Sequence, residues 1–189
     1  MLFQLFNLIL NSLVCLLSGV LLLRFWMQAI RIRPPSPVAE FTFQMTDWLV
    51  LRLRRIVPGI GGYDWASLLA TIFLAALLAT LQTVVSPAGM VLPLIVALTV
   101  HKLIQWICYG FICILLLGVV FSWVNPYAPL APFVNALTAP LLRPIRRFLP
   151  PFGSIDLSPM VLGIFLMAVL QLNDGLLAML LGSLMNMLQ

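Results

Sequence analysis

Arg54-Arg55-Ile56-Val57-Pro58-Gly59-Ile60-Gly61-Gly62-Tyr63-Asp64 returns 92 residues later (156 − 64) as Arg146-Arg147-Phe148-Leu149-Pro150-Pro151-Phe152-Gly153-Ser154-Ile155-Asp156, an ungapped R-R-x-x-P-x-x-G-x-x-D match. Read backwards in the same register, Pro34/Pro126, Pro37/Pro129, Ala39/Ala131, Phe41/Phe133, Thr46/Thr138 and Leu49/Leu141 also agree, so eleven of the 31 positions from 34 to 64 are identical. Agreement of this extent marks a duplicated unit, and the fold must repeat with it. A connection five residues shorter in the second copy (97 − 92) also brings Trp26 opposite Trp123, each at the end of a long apolar stretch. The units are assigned to residues 1–92 and 93–189.

Composition sets the solvent. Hydrophobic residues make up 63% of the chain and charged residues 8%, with a mean hydropathy of +1.15, whereas a soluble domain carries about 25% charged residues. Four stretches approach or exceed the roughly 20 residues that cross a bilayer core as a helix: Leu2 to Met27, Trp65 to Val85, Pro93 to Trp123 and Pro159 to Leu181. Two fall in each unit. The third is too long for one upright span, which predicts a helix from about Leu103 to Trp123. Pro87 to Val100 is then an apolar linker, with His101 and Lys102 at the membrane surface. The expected fold class is an all-α integral membrane protein whose four transmembrane helices form two tandem two-helix repeats, each carrying an amphipathic cytoplasmic loop helix.

Charge placement predicts the orientation. Arg31, Arg33, Arg52, Arg54 and Arg55 lie between spans one and two, Arg143, Arg146 and Arg147 between three and four, and Arg24 ends span one. By the positive-inside rule both basic loops face the cytoplasm and both termini the periplasm, as expected of a multi-pass protein of the bacterial inner membrane. An even number of spans per unit makes the copies parallel rather than inverted. No basic residue precedes the first apolar run, so an uncleaved span is expected rather than a signal peptide. Cys15, Cys108 and Cys113 lie within apolar stretches without metal-ligand or disulfide spacing and are read as packing residues.

In the first loop Ser36 serves as N-cap, Pro37 opens a helix, and Pro58 with Gly59 stops it. Phe41, Met45 and Trp48 recur at helical spacing beside Arg52 and Arg55. In the second loop Pro129 opens a helix that Pro140 and Pro144 interrupt, with Phe133, Leu137, Leu141, Ile145 and Phe148 as its apolar stripe. Both are expected to lie in the membrane plane, with arginines reaching phosphates.

Arg54, Arg55, Arg143, Arg146 and Arg147 admit two readings. They bind anionic headgroups or an acidic partner, for which guanidinium forks are suited, or they only anchor the topology. Asp64 and Asp156 are read as N-caps of the following spans, or as partners of Arg55 and Arg147 across a turn shaped by Pro58 and Gly61 in one copy and Pro150 and Gly153 in the other.

These paired loops, the Leu21-Leu22-Leu23-Arg24-Phe25-Trp26-Met27 ending of span one, Ser122-Trp123-Val124, and Thr138-Ala139-Pro140-Leu141-Leu142-Arg143-Pro144-Ile145-Arg146-Arg147 together resemble the YggT family of small bacterial inner-membrane proteins. The likeness covers nearly the whole chain, and the repeated two-span unit occurs singly in YlmG-type relatives. The resemblance implies a non-enzymatic membrane protein, with relatives linked to plastid cytochrome b haem attachment, cell division or nucleoid distribution, and osmotic stress. The first copy departs from the second in having Leu51-Arg52-Leu53 where the second has Arg143-Pro144-Ile145.

Catalytic patterns are absent: there is no G-x-S-x-G, P-loop or H-E-x-x-H, and the acids are dispersed singly. The single His101 supplies at most one haem ligand, and no cofactor is expected. Asp174, inside the fourth apolar stretch, is the one intramembrane acid and a candidate polar site, with Gln171 and Asn173 near it. Two functions follow. The first is an assembly module whose basic loops contact anionic lipid or a protein partner, without direct binding of nucleic acid. The second is a small ion or osmolyte channel, formed as a homo-oligomer because four helices enclose little space.

Overall fold

The computed structural model describes residues 2–55, 57, 59, 61–85, 92–149 and 156–187. Among them are six helices and no strand: α1 (Leu2–Ala29), α2 (Ser36–Arg54), α3 (Trp65–Val85), α4 (Leu92–Val124), α5 (Ala131–Phe148) and α6 (Ser158–Met187). The first, third, fourth and sixth are long and apolar enough to cross a membrane. Leu8, Leu13, Leu116, Phe165 and Leu172 stand exposed on their outer surfaces. Such a surface is unfavourable in water and ordinary against acyl chains, so the chain is a multi-pass membrane protein.

Small residues bring the spans together. α3 buries Ala66, Ser67, Ala70, Thr71, Ala75 and Ala79, and this pattern lets backbones approach where lipid removes the hydrophobic drive between helices. α3 packs against α1, α2 and α4, whereas α6 packs against α4 and α5. α4 is thus the central helix. At the end where α1 stops, Met27, Phe133, Val134 and Leu137 form one buried cluster. The Trp26 indole N–H donates to the Leu137 carbonyl at 3.0 Å. This contact joins α1 to α5 and sets both short helices at the same end of the bundle.

Several boundaries differ from expectation. α4 runs unbroken from Leu92 to Val124, 33 residues, or about 50 Å of rise. Pro93 falls in its first turn, where a missing N–H costs nothing. No glycine or further proline follows before Gly110, so excess length alone does not end the helix. His101 and Lys102 therefore lie inside α4 rather than at a surface break, and residues 92–100 are helical; residues 87–91 of the expected linker lie outside the described residues.

α5 likewise continues through Pro140 and Pro144. The two are one turn apart and both exposed, so the lost backbone bonds fall on a single outward side, where solvent or headgroups satisfy the freed carbonyls. Phe133, Leu137 and Leu142 hold the opposite side. Leu130 rather than Pro129 caps this helix, with proline in the first turn. In α2 the cap is Pro35, and Ser36 makes no capping hydrogen bond. Thr42, Thr46 and Val50 are buried, and Phe41, Met45 and Trp48 are exposed. Cys15, Cys108 and Cys113 are free thiols, with Cys108 buried.

Candidate functional site

Most of the charged residues gather at the end of the bundle where α1 finishes. Gly61 and Gly62 take φ of 71° and 82°, a left-handed pair open to residues without a Cβ. The reversal sets Asp64 immediately before α3. Its carboxylate is buried and collects four donors. Oδ2 accepts from the Ser67 hydroxyl at 2.7 Å, Arg24 Nε at 3.1 Å and Arg54 Nη2 at 2.9 Å, while Oδ1 faces Arg54 Nε at 3.4 Å. Arg24 is 5% exposed and extends the network through Nη1, which donates to Thr46 Oγ1 at 2.6 Å and Asp47 Oδ1 at 2.7 Å. Its guanidinium carbon lies 4.8 Å from the Phe43 ring centroid. Burial pushes the Asp64 carboxyl up, but hydrogen bonds from Arg54 and Ser67, with the charges of Arg54 and Arg24, hold it below the ordinary carboxylate value.

Asp156 makes a smaller version of this site. Arg146 Nε and Nη2 both donate to its Oδ2, at 2.9 and 2.6 Å, and its Oδ1 accepts the Ser158 N–H at 2.9 Å, capping α6. Burial again opposes ionisation, and hydrogen bonding from Ser158 and Arg146 outweighs it, so this carboxyl too lies below its ordinary value. In both copies the acid therefore pairs with the first arginine of the repeated doublet rather than with Arg55 or Arg147. One residue further along a helix turns a side chain by about 100°, and both second arginines are exposed.

Arg24 and Asp47 escaped the sequence reading as members of a site. The available signal was the position of Arg24, short of the end of an apolar run, since an ionisable group at such a depth calls for a charged partner. Arg31, Arg33, Arg52, Arg55, Arg143 and Arg147 are exposed and make no ion pair among the described residues. Exposed Phe41, Trp48, Leu51 and Phe148 share that end. Pro58, Pro150 and Gly153, expected to shape the turns, lie outside the described residues.

Towards the far end of the spans, polar groups meet in two sets. Gln82 Nε2 and Lys102 Nζ both reach Asn11 Oδ1, at 3.2 and 3.3 Å. Asp174, with its side chain 61% exposed, has Gln105 Nε2 at 3.3 Å and His101 Nε2 at 3.8 Å, and Asn173 donates to the His101 carbonyl at 3.1 Å. The Asp174 partners thus come from α4, across the helix pair, rather than from Gln171 or Asn173 beside it. Among the described residues no three His, Cys, Asp or Glu side chains converge as a metal site.

The CCB3/YggT family model matches residues 3–85 and again 97–180. The chain is 35% identical to the protein YggT of Escherichia coli over 169 residues, 85% of each chain. It is 35% identical to a protein of Pseudomonas aeruginosa over 173 residues, 89% of this chain and 85% of the relative. To one of Haemophilus influenzae it is 32% identical over 176 residues, 93% of each. No name among these three states an activity, and no solved structure matches the chain. With the matches spread over the first to the last of its four long apolar helices, the chain belongs to the CCB3/YggT family.

Proposed function

We propose that the protein is a non-enzymatic assembly module of the cytoplasmic membrane whose two loop helices form a basic platform for anionic lipid headgroups. One observation carries this reading. Arg52, Arg55, Arg143 and Arg147 are exposed without acidic partners among the described residues, at the same end of the bundle as exposed Phe41, Trp48 and Phe148. Aromatic and aliphatic groups at headgroup depth anchor the helices in the interface while the guanidinium groups meet phosphate oxygens. The positive-inside rule puts this end in the cytoplasm and both termini outside. Arg54 and Arg146 serve a different purpose, since each is engaged by the acid of its own copy.

Replacing Arg52, Arg55, Arg143 and Arg147 with glutamine tests the platform. Each charge near the surface contributes about 1 kcal/mol to attraction for anionic lipid, and Arg31 and Arg33 still mark the inside. The variant should insert normally and retain fewer anionic lipids in native mass spectrometry. Unchanged retention refutes a lipid platform, and in that case a crosslinked protein at Arg55 or Arg143 identifies the alternative occupant.

The channel reading draws on the polar groups of the far end. Against it, the carboxylate of Asp174 faces outward from the bundle, and the α1–α3–α4 contact is filled by Ala75, Leu78 and Trp106. Four helices enclose little space, so conduction would require an oligomer, with Asp174 on the exposed side of α6.

A further inference from the structure

We propose that a cavity at the end of α1 is a binding site for a phosphate group, carried by a lipid or free in solution. The cavity has a volume of about 640 Å³ and is lined by Arg24, Arg31, Arg33 and Arg54, with Asp47 and Phe43. Four guanidinium groups meet two acids here, Asp47 in the wall and Asp64 behind it, leaving two positive charges in excess (4 − 2). Arg31 and Arg33 supply that excess and have no ion pair of their own among the described residues. A phosphate ester carries between one and two negative charges near neutral pH and accepts paired N–H bonds from a guanidinium fork. Arg24 and Arg54 are already fixed by Asp64, so half of the site is rigid before any ligand arrives.

The backbone adds an independent observation. Arg31 has φ of 56° and is the only residue other than glycine with positive φ among the described residues. Its N–H donates to the Gln28 carbonyl at 3.1 Å, and the Ile32 N–H donates to that of Met27 at 3.0 Å. These are the two bonds of a Schellman turn, whose left-handed position normally holds glycine. Glycine would close α1 with less strain. What arginine adds at this position is its side chain in the cavity wall, and residues held in sparse backbone regions gather at ligand sites.

The proposal deepens the platform reading and rests on this end lying at headgroup level. The two remain separable, because Arg52, Arg55, Arg143 and Arg147 do not line the cavity. The test uses the full chain in maltoside micelles, titrated with phosphatidic acid and followed by native mass spectrometry. Inorganic phosphate is added as competitor in a second series. The wild type should hold one tightly retained lipid per chain. Arg31→Gly combined with Arg33→Gln should lose at least about tenfold in affinity, since each removes charge-assisted hydrogen bonds. Its melting temperature should be unchanged or higher, because glycine relaxes the turn. Competition by phosphate makes the free ion a sufficient ligand, and its absence makes the lipid ester the source. Equal affinity in the wild type and the double variant overturns the site, whatever the surface quadruple variant does; loss in the quadruple variant alone would support the platform and leave the cavity empty.

Discussion

Asp64→Asn and Asp156→Asn remove the same element of the repeated motif, yet the structure assigns them different costs. Asp64 and Arg24 have side chains 1% and 5% exposed, whereas Asp156 and Arg146 are 31% and 46% exposed. Breaking a buried pair by removing one partner costs about 3–5 kcal/mol, because the remaining charge stays out of water. Arg24 would keep Asp47 and Thr46, so the lower end applies: about 3 kcal/mol, or roughly a hundredfold in the opening equilibrium. An exposed pair is worth about 1 kcal/mol at most, roughly fivefold. Thiol protection measures both. Ser18 is fully buried and its hydroxyl lacks a hydrogen-bond partner among the described residues, so Ser18→Cys is a near-isosteric reporter for the first half, and native Cys108 reports on the second. Under native conditions, Asp64→Asn should accelerate alkylation of the Ser18→Cys thiol about a hundredfold, and Asp156→Asn should accelerate that of Cys108 no more than about fivefold. Similar factors for both variants would refute the argument from burial.

The same network predicts an acid limit. The Asp64 carboxyl is held below its ordinary value, so its contribution is fully present above the unfolded pKa of about 3.9 and is lost as pH falls through the folded value. Wild-type stability should therefore fall below about pH 4, and that of Asp64→Asn should fall less; parallel curves would exclude Asp64 as the titrating group. For topology, Arg55→Cys and Phe148→Cys, each the only cysteine, should resist an impermeant thiol reagent added outside spheroplasts, and labelling of either from outside would invert the assigned orientation. Trp26→Phe removes the indole bond to Leu137 and should lower stability by about 1 kcal/mol, read as a lower melting temperature. Purified protein in liposomes should show no cation flux, and flux abolished by Asp174→Asn would promote the channel.

The four spans were legible because lipid requires about 20 apolar residues per crossing, and their order follows directly. The loop helices were legible from proline placement. The inward side of α2 was not, because Thr42 and Thr46 carry no apolar periodicity beside Phe41, Met45 and Trp48. Phe41, Met45 and Trp48 stand exposed, and Thr46 turns inward, where its hydroxyl oxygen accepts from Arg24. The length of α4 was misread from bilayer thickness, since thickness limits what is covered by lipid and does not end a helix lacking a breaker. The pairing of Arg24 with Asp64 across 40 residues is a tertiary contact with no periodic trace, visible beforehand only as an arginine placed too deep.

The two copies diverge at the positions that decide how each loop helix is held. In the shifted register of the Trp26/Trp123 match, Phe121 stands opposite Arg24, and in the register of the doublets Ala139 stands opposite Asp47. The second copy thus lacks both the deep arginine and one of its acids. Thr138 keeps the hydroxyl of Thr46 and likewise donates it to carbonyls of its own helix, Val134 and Asn135 where Thr46 has Thr42, but among the described residues no guanidinium donates to it. α5 is held instead by Phe133, Val134 and Leu137, packed against Met27 with Phe121 and Ile114 beside them, so an apolar cluster replaces the ionic one. The replacement is coherent: without Arg24 there is no charge to satisfy, and the inward face of α5 can be apolar where that of α2 must carry oxygens. The cavity lined by Arg24, Arg31, Arg33 and Arg54 draws its wall from the first copy. A cavity wall built on Arg24 has no counterpart where phenylalanine fills the same place, so the repeated sequence carries the acid–arginine pair twice and the deep guanidinium once.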